Sequence, residues 1–158
     1  HGALGDAVEA GTLVIEERRP VAPAAGVQKV PITVTRLEAG SDAVYEDLEP
    51  RLADLDGDGV PEILVVRSTK AGGAALLVVG KRGDAWGVVA ETPAIGTPNR
   101  WLAPGPVADL DRDGRPEIVL VRTPHLEGRL QVWSLENGAL RLRHEAAGYA
   151  NHAAGSTA

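Results

Sequence analysis

One acidic segment occurs twice in this chain, and it limits the choice of fold more than any other feature. Residues 52–62 read LADLDGDGVPE and residues 107–117 read VADLDRDGRPE. The copies stand 55 residues apart, and the same offset carries on beyond them. The apolar run at 63–67 is matched at 118–122, Gly73 by Gly128 and Gly83 by Gly138. A fixed period of this length marks a repeat architecture, whose units stack because none can bury its apolar face alone.

Each copy reads as strands and turns. Residues 63–67 and 118–122 are rich in β-branched side chains and too short for helices. A polar or glycine-containing loop follows at 68–73 and 123–128, then a second strand at 75–79 and 130–135. Glycine turns come next at 81–84 and 136–138, and the pair Asn137-Gly138 is a strong hairpin signal. A last strand spans 86–91 and 140–145. With a short strand ahead of the acidic loop, each repeat has four strands, as expected of β-propeller blades.

Residues 1–46 lack an acidic loop. They offer strands at 12–17 and 31–36, joined by a Pro/Ala-rich loop at 19–26, and read as part of a third, degenerate blade. The expected organisation is N-terminal strands at 1–46, a blade at 47–101 around loop 54–62, and a blade at 102–158 around loop 109–117 with a frayed tail after Tyr149. The fold class is all-β, with four-stranded antiparallel blades, two clear and one partial. Such a set cannot close a ring of four or more blades, and an open edge strand invites pairing. It is therefore part of a larger propeller, or it closes as a homo-oligomer through blade edges, or its edges are covered some other way.

The acidic loops carry the chemistry. Asp54, Asp56, Asp58 and Glu62 fall at loop positions 1, 3, 5 and 9, as do Asp109, Asp111, Asp113 and Glu117. Gly59 and Gly114 occupy position 6, where a sharp turn needs a residue without Cβ. Alternating acids in a curled loop aim their oxygens at one centre. Calcium is a hard ion that takes about six to eight oxygens. The carboxylates, with the carbonyls of Val60 and Arg115 at position 7, supply most of that set, so two Ca2+ sites are expected. Magnesium fits less well, because it demands a small octahedron and keeps its waters. An EF-hand needs Glu at position 12, where this chain has Val65 and Leu120, and it leads into a helix rather than a β-branched run. Solvated acidic turns are the plain alternative, but three carboxylates within five residues repel one another.

At these residues the chain resembles the FG-GAP/VCBS repeat superfamily, which includes integrin-like β-propeller blades. Its mark is DxDxDG, then Pro or two other residues, an acid and an apolar strand. Residues 54–62 and 109–117 both match. The ninth position is often Asp in the family and is Glu62 and Glu117 here, a departure that bears on geometry and affinity. Residues 1–6, 46–52 and 100–104 are also similar to a group of uncharacterised bacterial exported VCBS-repeat proteins. That resemblance implies no assigned activity, and family members are commonly longer, with more blades.

Composition narrows the function. Apolar residues make up 44% and aromatics 3% of the 158 residues, with no Phe. The core must come from Val, Leu, Ile and Ala with Trp86, Trp101 and Trp133. Absence of Cys excludes disulfides, zinc-thiolate sites and thiol catalysis. The formal charge is −6, which two divalent cations would largely cancel. Nucleic acid needs a basic face, and only Arg18-Arg19 cluster. No apolar run approaches the roughly 20 residues of a membrane span. With no signal peptide visible and no Met, the chain reads as a processed product, an engineered segment or an internal fragment.

No other motif competes. His1, His125, His144 and His152 have no metal-ligand spacing, and Ser68, Ser134 and Ser156 lie outside any nucleophile elbow. Arg82-Gly83-Asp84 reads as a turn. Trp101 reads as a plug between blades or a stacking platform, and Tyr45 is similarly ambiguous. The chain is therefore expected to be a non-catalytic calcium-binding module, a binding, adhesion or structural scaffold for a protein or glycan ligand. A polysaccharide-acting enzyme, for which Glu46, Asp47 and Glu49 are the only candidate carboxylates, and a self-assembling structural protein are the alternatives. Millimolar extracellular or periplasmic calcium fills even weak sites, so a secreted, periplasmic or cell-surface location is expected.

Overall fold

The structure is a computed structural model that describes residues 9–18, 26, 29–46 and 49–149. Residues 1–6, the interstrand stretch at 19–25, Asp47, His152, Ser156 and the tail beyond Tyr149 lie outside the described residues. Among the described residues there are eleven strands and no helix: β1 (Thr12–Arg18), β2 (Ile32–Glu38), β3 (Ala43–Tyr45), β4 (Arg51–Ala53), β5 (Glu62–Thr69), β6 (Gly73–Arg82), β7 (Ala85–Glu91), β8 (Leu102–Ala108), β9 (Glu117–Arg122), β10 (Arg129–Glu136) and β11 (Ala139–Ala146). They form a β1–β2 hairpin, a five-stranded sheet around β5, and a four-stranded sheet in the order β11-β10-β9-β8. The fold is all-β, and its two blade-like antiparallel sheets do not close into a ring.

The fifth strand of the first sheet is an interruption rather than an addition. β3 and β4 both pair with β5, β3 opposite Arg67 to Thr69 and β4 opposite Glu62 to Leu64. β8 does the work of both in the second sheet, pairing from Arg122 to Glu117 with a bulge between Pro104 and Val107. The first sheet is thus a four-stranded blade whose first strand is split by a wider bulge. Pro104 and Pro106 donate no ladder hydrogen bonds, which an edge strand tolerates.

The 55-residue offset holds through β5 and β9, then slips by one. Ile63 pairs with Val79, and Ile118 pairs with Trp133, which is 54 residues beyond Val79. The loop after β9 is therefore a residue shorter than the loop after β5. In the hairpin turns Gly83 corresponds to Asn137, not to Gly138. Positive φ occurs at Gly83 alone in the first turn and at both Asn137 and Gly138 in the second, matching the two primed turn types that suit twisted strands. Both sheets carry a bulge at the same place, between Val78 and Val79 and between Val132 and Trp133.

Packing follows from pleat alternation. One face of the first sheet (Leu64, Val66, Leu76, Val78) meets Ile118, Leu120, Trp133 and Leu135 of the second in a single apolar cluster. Its other face (Ile63, Val65, Ala75, Leu77, Val79) is covered by Leu13, Ile15 and Leu37 of the β1–β2 hairpin. This explains why β5 and β6 are apolar almost without interruption, whereas β10 alternates. Trp133, and not Trp101, fills the space between blades. Tyr45 belongs to the hairpin-side cluster, and the half-buried Lys81–Glu17 ion pair ties hairpin to sheet. Lys70 and Asp42 pair on the surface across the β3–β5 edge.

The connection from β7 to β8 is pinned rather than loose. Ile95 N donates to Ala74 O at 3.0 Å and Gly96 N to Gly72 O at 2.8 Å. Gly73 sits below this crossing with φ +68°, and a Cβ there would lie 2.3 Å from the Thr97 carbonyl oxygen. Only glycine permits that approach.

Leu120 is fully buried between the sheets, whereas Leu142 is 44% exposed. Leu120→Ala is expected to cost about 2–5 kcal/mol through lost burial and a residual cavity, and Leu142→Ala less than about 1 kcal/mol. Equal shifts in the denaturation midpoints of the two variants would contradict this packing.

Candidate functional site

Each acidic loop leaves the first strand of its sheet and re-enters at the second, so its ends are fixed by neighbouring strands. Pro61 and Pro116 precede the re-entry, where φ is already extended enough for a strand. Within the loops the side chains fold the backbone around themselves. In the first, Asp54 accepts from Gly57 N at 2.8 Å and Gly59 N at 2.9 Å, Asp56 from Asp58 N at 3.1 Å, and Asp58 from Val60 N at 2.7 Å. In the second, Asp109 accepts from Gly114 N at 3.0 Å, Asp111 from Asp113 N at 3.1 Å, and Asp113 from Arg115 N at 2.8 Å. These Asx-type turns curl both loops the same way.

The ninth residue closes each loop. Glu62 accepts from Leu55 N at 2.8 Å, and Glu117 accepts from Leu110 N at 2.8 Å. Both glutamates are buried, unlike the aspartates around them. Burial raises the Glu62 pKa above the ordinary carboxylate range, and the charges of Asp56 and Asp58 push it further against the opposing Leu55 amide.

The loops draw carboxylates together. One oxygen each from Asp54, Asp56 and Asp58 lie within 4.8 Å of one another, and so do oxygens of Asp109, Asp111 and Glu117. Glu62 stands outside the first trio and Asp113 outside the second, although both hold their loops. Val60 and Arg115 occupy the loop ends, where their amides bond Asp58 and Asp113. The donor set is all oxygen and strongly anionic, which suits a hard divalent cation better than a soft one. The residues present therefore fit a calcium-type ion.

Position 4 distinguishes the copies. Gly57 has φ +79°, and its counterpart Arg112 holds φ +65°. A side chain in the left-handed region is strained, so the second loop carries a cost that the first avoids.

Other residues singled out in the sequence take structural roles. Glu46 is buried and accepts the Ser68 hydroxyl proton. Arg82-Gly83-Asp84 forms the β6–β7 turn. Trp101 stacks on His125, with ring centroids 5.1 Å apart. Sequence reasoning missed a pocket between the β7–β8 and β9–β10 loops, lined by Arg100, Arg122 and Arg129. Its signal lay in the repeat itself: Ala75 and Leu77 of β6 become Arg129 and Gln131 of β10, their register partners 54 residues on.

A family model described as FG-GAP-like repeat matches residues 54–120. The match begins at the first acidic loop and ends in β9, so it spans both loops. Over those residues the chain is similar to an FG-GAP-like repeat. No curated protein and no solved structure matches the chain. No helix among the described residues is long and apolar enough to cross a membrane.

Two outcomes follow from the loops. A carboxyl with a raised folded pKa contributes stability below its unfolded value and loses it as pH rises through the folded value. With divalent ions chelated, the wild-type melting midpoint should fall relative to Glu62→Gln as pH rises through and above the ordinary glutamate range, and parallel profiles would exclude the effect. Separately, Arg112→Gly should stabilise the protein by about 0.5–1 kcal/mol, relieved strain outweighing added unfolded-state entropy. An unchanged or lowered denaturation midpoint would refute that strain.

Proposed function

We propose that the chain is a non-catalytic, calcium-binding repeat module serving as a binding or structural scaffold. One calcium ion per acidic loop ties the first strand of a blade to the second. The observation that carries this reading is the gathering of three carboxylate oxygens within 4.8 Å in both loops. Like charges held that close without a cation repel strongly. Among the described residues none of these six acids is in an ion pair with Lys or Arg. Asp54, Asp56, Asp58 and Asp109, Asp111, Asp113 would supply carboxylate oxygens, with Glu62 and Glu117 closing the loops and the Val60 and Arg115 carbonyls completing the set. A bound cation adds its binding free energy to folding.

The non-catalytic part rests on the roles of the remaining candidates. Glu46 is bound to Ser68 in the blade, and His125 is stacked under Trp101. Both roles support the structure without need of catalysis. Millimolar calcium outside the cytoplasm fills sites of this kind, so an exported protein is part of the proposal.

The test is a thermal melt in calcium and in excess chelator, beside an Asp56→Ala/Asp111→Ala double variant. At a calcium concentration of roughly 100 Kd each site adds about 2.7 kcal/mol, or some 5–10 °C for a chain of this size. The double variant should show no such shift. A wild-type midpoint indifferent to calcium would reduce the loops to acidic turns and end the proposal.

A further inference from the structure

The pocket between the β7–β8 and β9–β10 loops encloses about 520 Å³ and has an electrostatic character opposite to that of the chain. The molecule carries −6, yet this one cavity is lined by three guanidiniums. The repeat supplies an internal control. In the first sheet Arg67 is held by Glu91 at 3.1 Å. In the second, Arg122 and Glu145 occupy the corresponding places, but they form no ion pair. Arg129 takes one Glu145 oxygen at 2.8 Å, and Gln131 takes the other. Arg129 also holds Glu127 at 2.9 Å. Those bonds hold the Glu145 carboxyl below the usual carboxylate range, Gln131 first and Arg129 next.

Both pocket carboxylates are thus committed to Arg129. Among the described residues the Arg122 guanidinium donates to the neutral Ile95 carbonyl at 2.8 Å, and its charge acts on Glu145 without forming an ion pair. Arg100 is exposed; its carbonyl accepts from Ala74 N at 3.3 Å, while its guanidinium makes no hydrogen bond or ion pair among the described residues. Both guanidiniums line the cavity, and neither is in an ion pair among the described residues. Next to Arg122 the lining is strained. Thr123 holds φ +48°, an outlier for a β-branched residue. It is fixed by Thr123 N donating to Trp101 O at 3.1 Å and by its own carbonyl accepting from Leu126 N and Gly128 N. Strain kept by surrounding structure is typical of ligand clamps. Beside it Leu126 projects 60% exposed.

We propose that this pocket binds an acidic peptide, seating a Glu or Asp carboxylate between Arg100 and Arg122 with an aliphatic neighbour against Leu126. Guanidinium forks match carboxylates in shape and charge, and the exposed leucine beside them gives the site an apolar half that a bare inorganic anion would not use. The proposal rests on the reading of the chain as a binding module and names its partner class, but the pocket uses none of the acidic-loop residues.

The probe is a fluorescently labelled peptide of alternating Glu and Leu, followed by anisotropy with the full chain in calcium. The Gln-Leu peptide and inorganic phosphate serve as the other arms. Binding of the Glu peptide should weaken roughly tenfold or more in Arg100→Gln, the loss of a charge-assisted hydrogen bond. Arg100→Gln removes no hydrogen bond or ion pair of the described residues and keeps the Ala74 N bond to its carbonyl, so its melt should be unchanged. Leu126→Ser should also weaken the peptide, and Arg82→Gln, in the β6–β7 turn, should not. Equal affinity for the Glu and Gln peptides, or unaltered binding in Arg100→Gln, overturns the proposal. Competition by phosphate with no effect of Leu126→Ser overturns the peptide assignment and leaves an anion site. Loss of peptide binding with a calcium-dependent melt intact condemns the pocket alone. Peptide binding with a calcium-insensitive melt condemns the calcium reading alone.

Discussion

A sheet with two apolar faces must be covered on both, and the rest of this molecule is arranged around that demand in the first blade. Leu64, Val66, Leu76 and Val78 face one way, Ile63, Val65, Leu77 and Val79 the other, and every one of them is buried. The second blade satisfies the first face and the β1–β2 hairpin the second. Each buried large aliphatic side chain contributes about 1.5–3 kcal/mol relative to exposure, so neither cover can be dispensable. The β1–β2 strands therefore cover with a hairpin the face that the second blade covers on the other side.

Among the described residues the far side of the second blade is less fully covered. Val119, Val121, Leu130 and Val132 lie on the face that corresponds to Leu64, Val66, Leu76 and Val78, yet they remain half-buried. The edge beyond is guarded instead: β11 presents Arg141, Arg143 and Glu145, and Arg143 pairs with Glu136. Charged edge strands resist pairing with other chains. Protection of the edge and incompleteness of the face are separate matters, and the asymmetry between the blades comes from the second.

Much of this was legible from residues alone. The β-branched runs, the Asn137-Gly138 turn and the duplicated acids placed the strands, hairpins and loops because each signal is local. What escaped depends on neighbours or on counting. The offset slips by one in the loop after β9, and glycines at 83 and 138 disguise the slip by standing 55 apart while their turns stand 54 apart. Trp101 and Trp133 are indistinguishable by composition, and only the packing shows that one stacks on His125 while the other enters the core. Arg100 and Arg122 meet across two loops separated by β8, the second acidic loop and β9, so no spacing rule joins them.

The loops show how a local motif acquires a different meaning in each copy. In both, the ninth-position glutamate grips the amide of the second residue, Leu55 or Leu110. Leu55 is 1% exposed and belongs to the core between the blades, whereas Leu110 is 54% exposed. The shape of the first loop is therefore coupled through one residue to the packing of two sheets. The amide gripped in the second belongs to an exposed leucine outside that core. On the proposed reading, a cation in the first loop fixes an amide whose side chain is a core member, so its binding energy acts on the cooperative unit that unfolds globally. On the same reading, a cation in the second loop, with strained Arg112 and an outward leucine, would act on a more local element. Two loops with almost the same residues thus differ in their hold on the fold because the leucine of one is packed between the blades and that of the other is exposed.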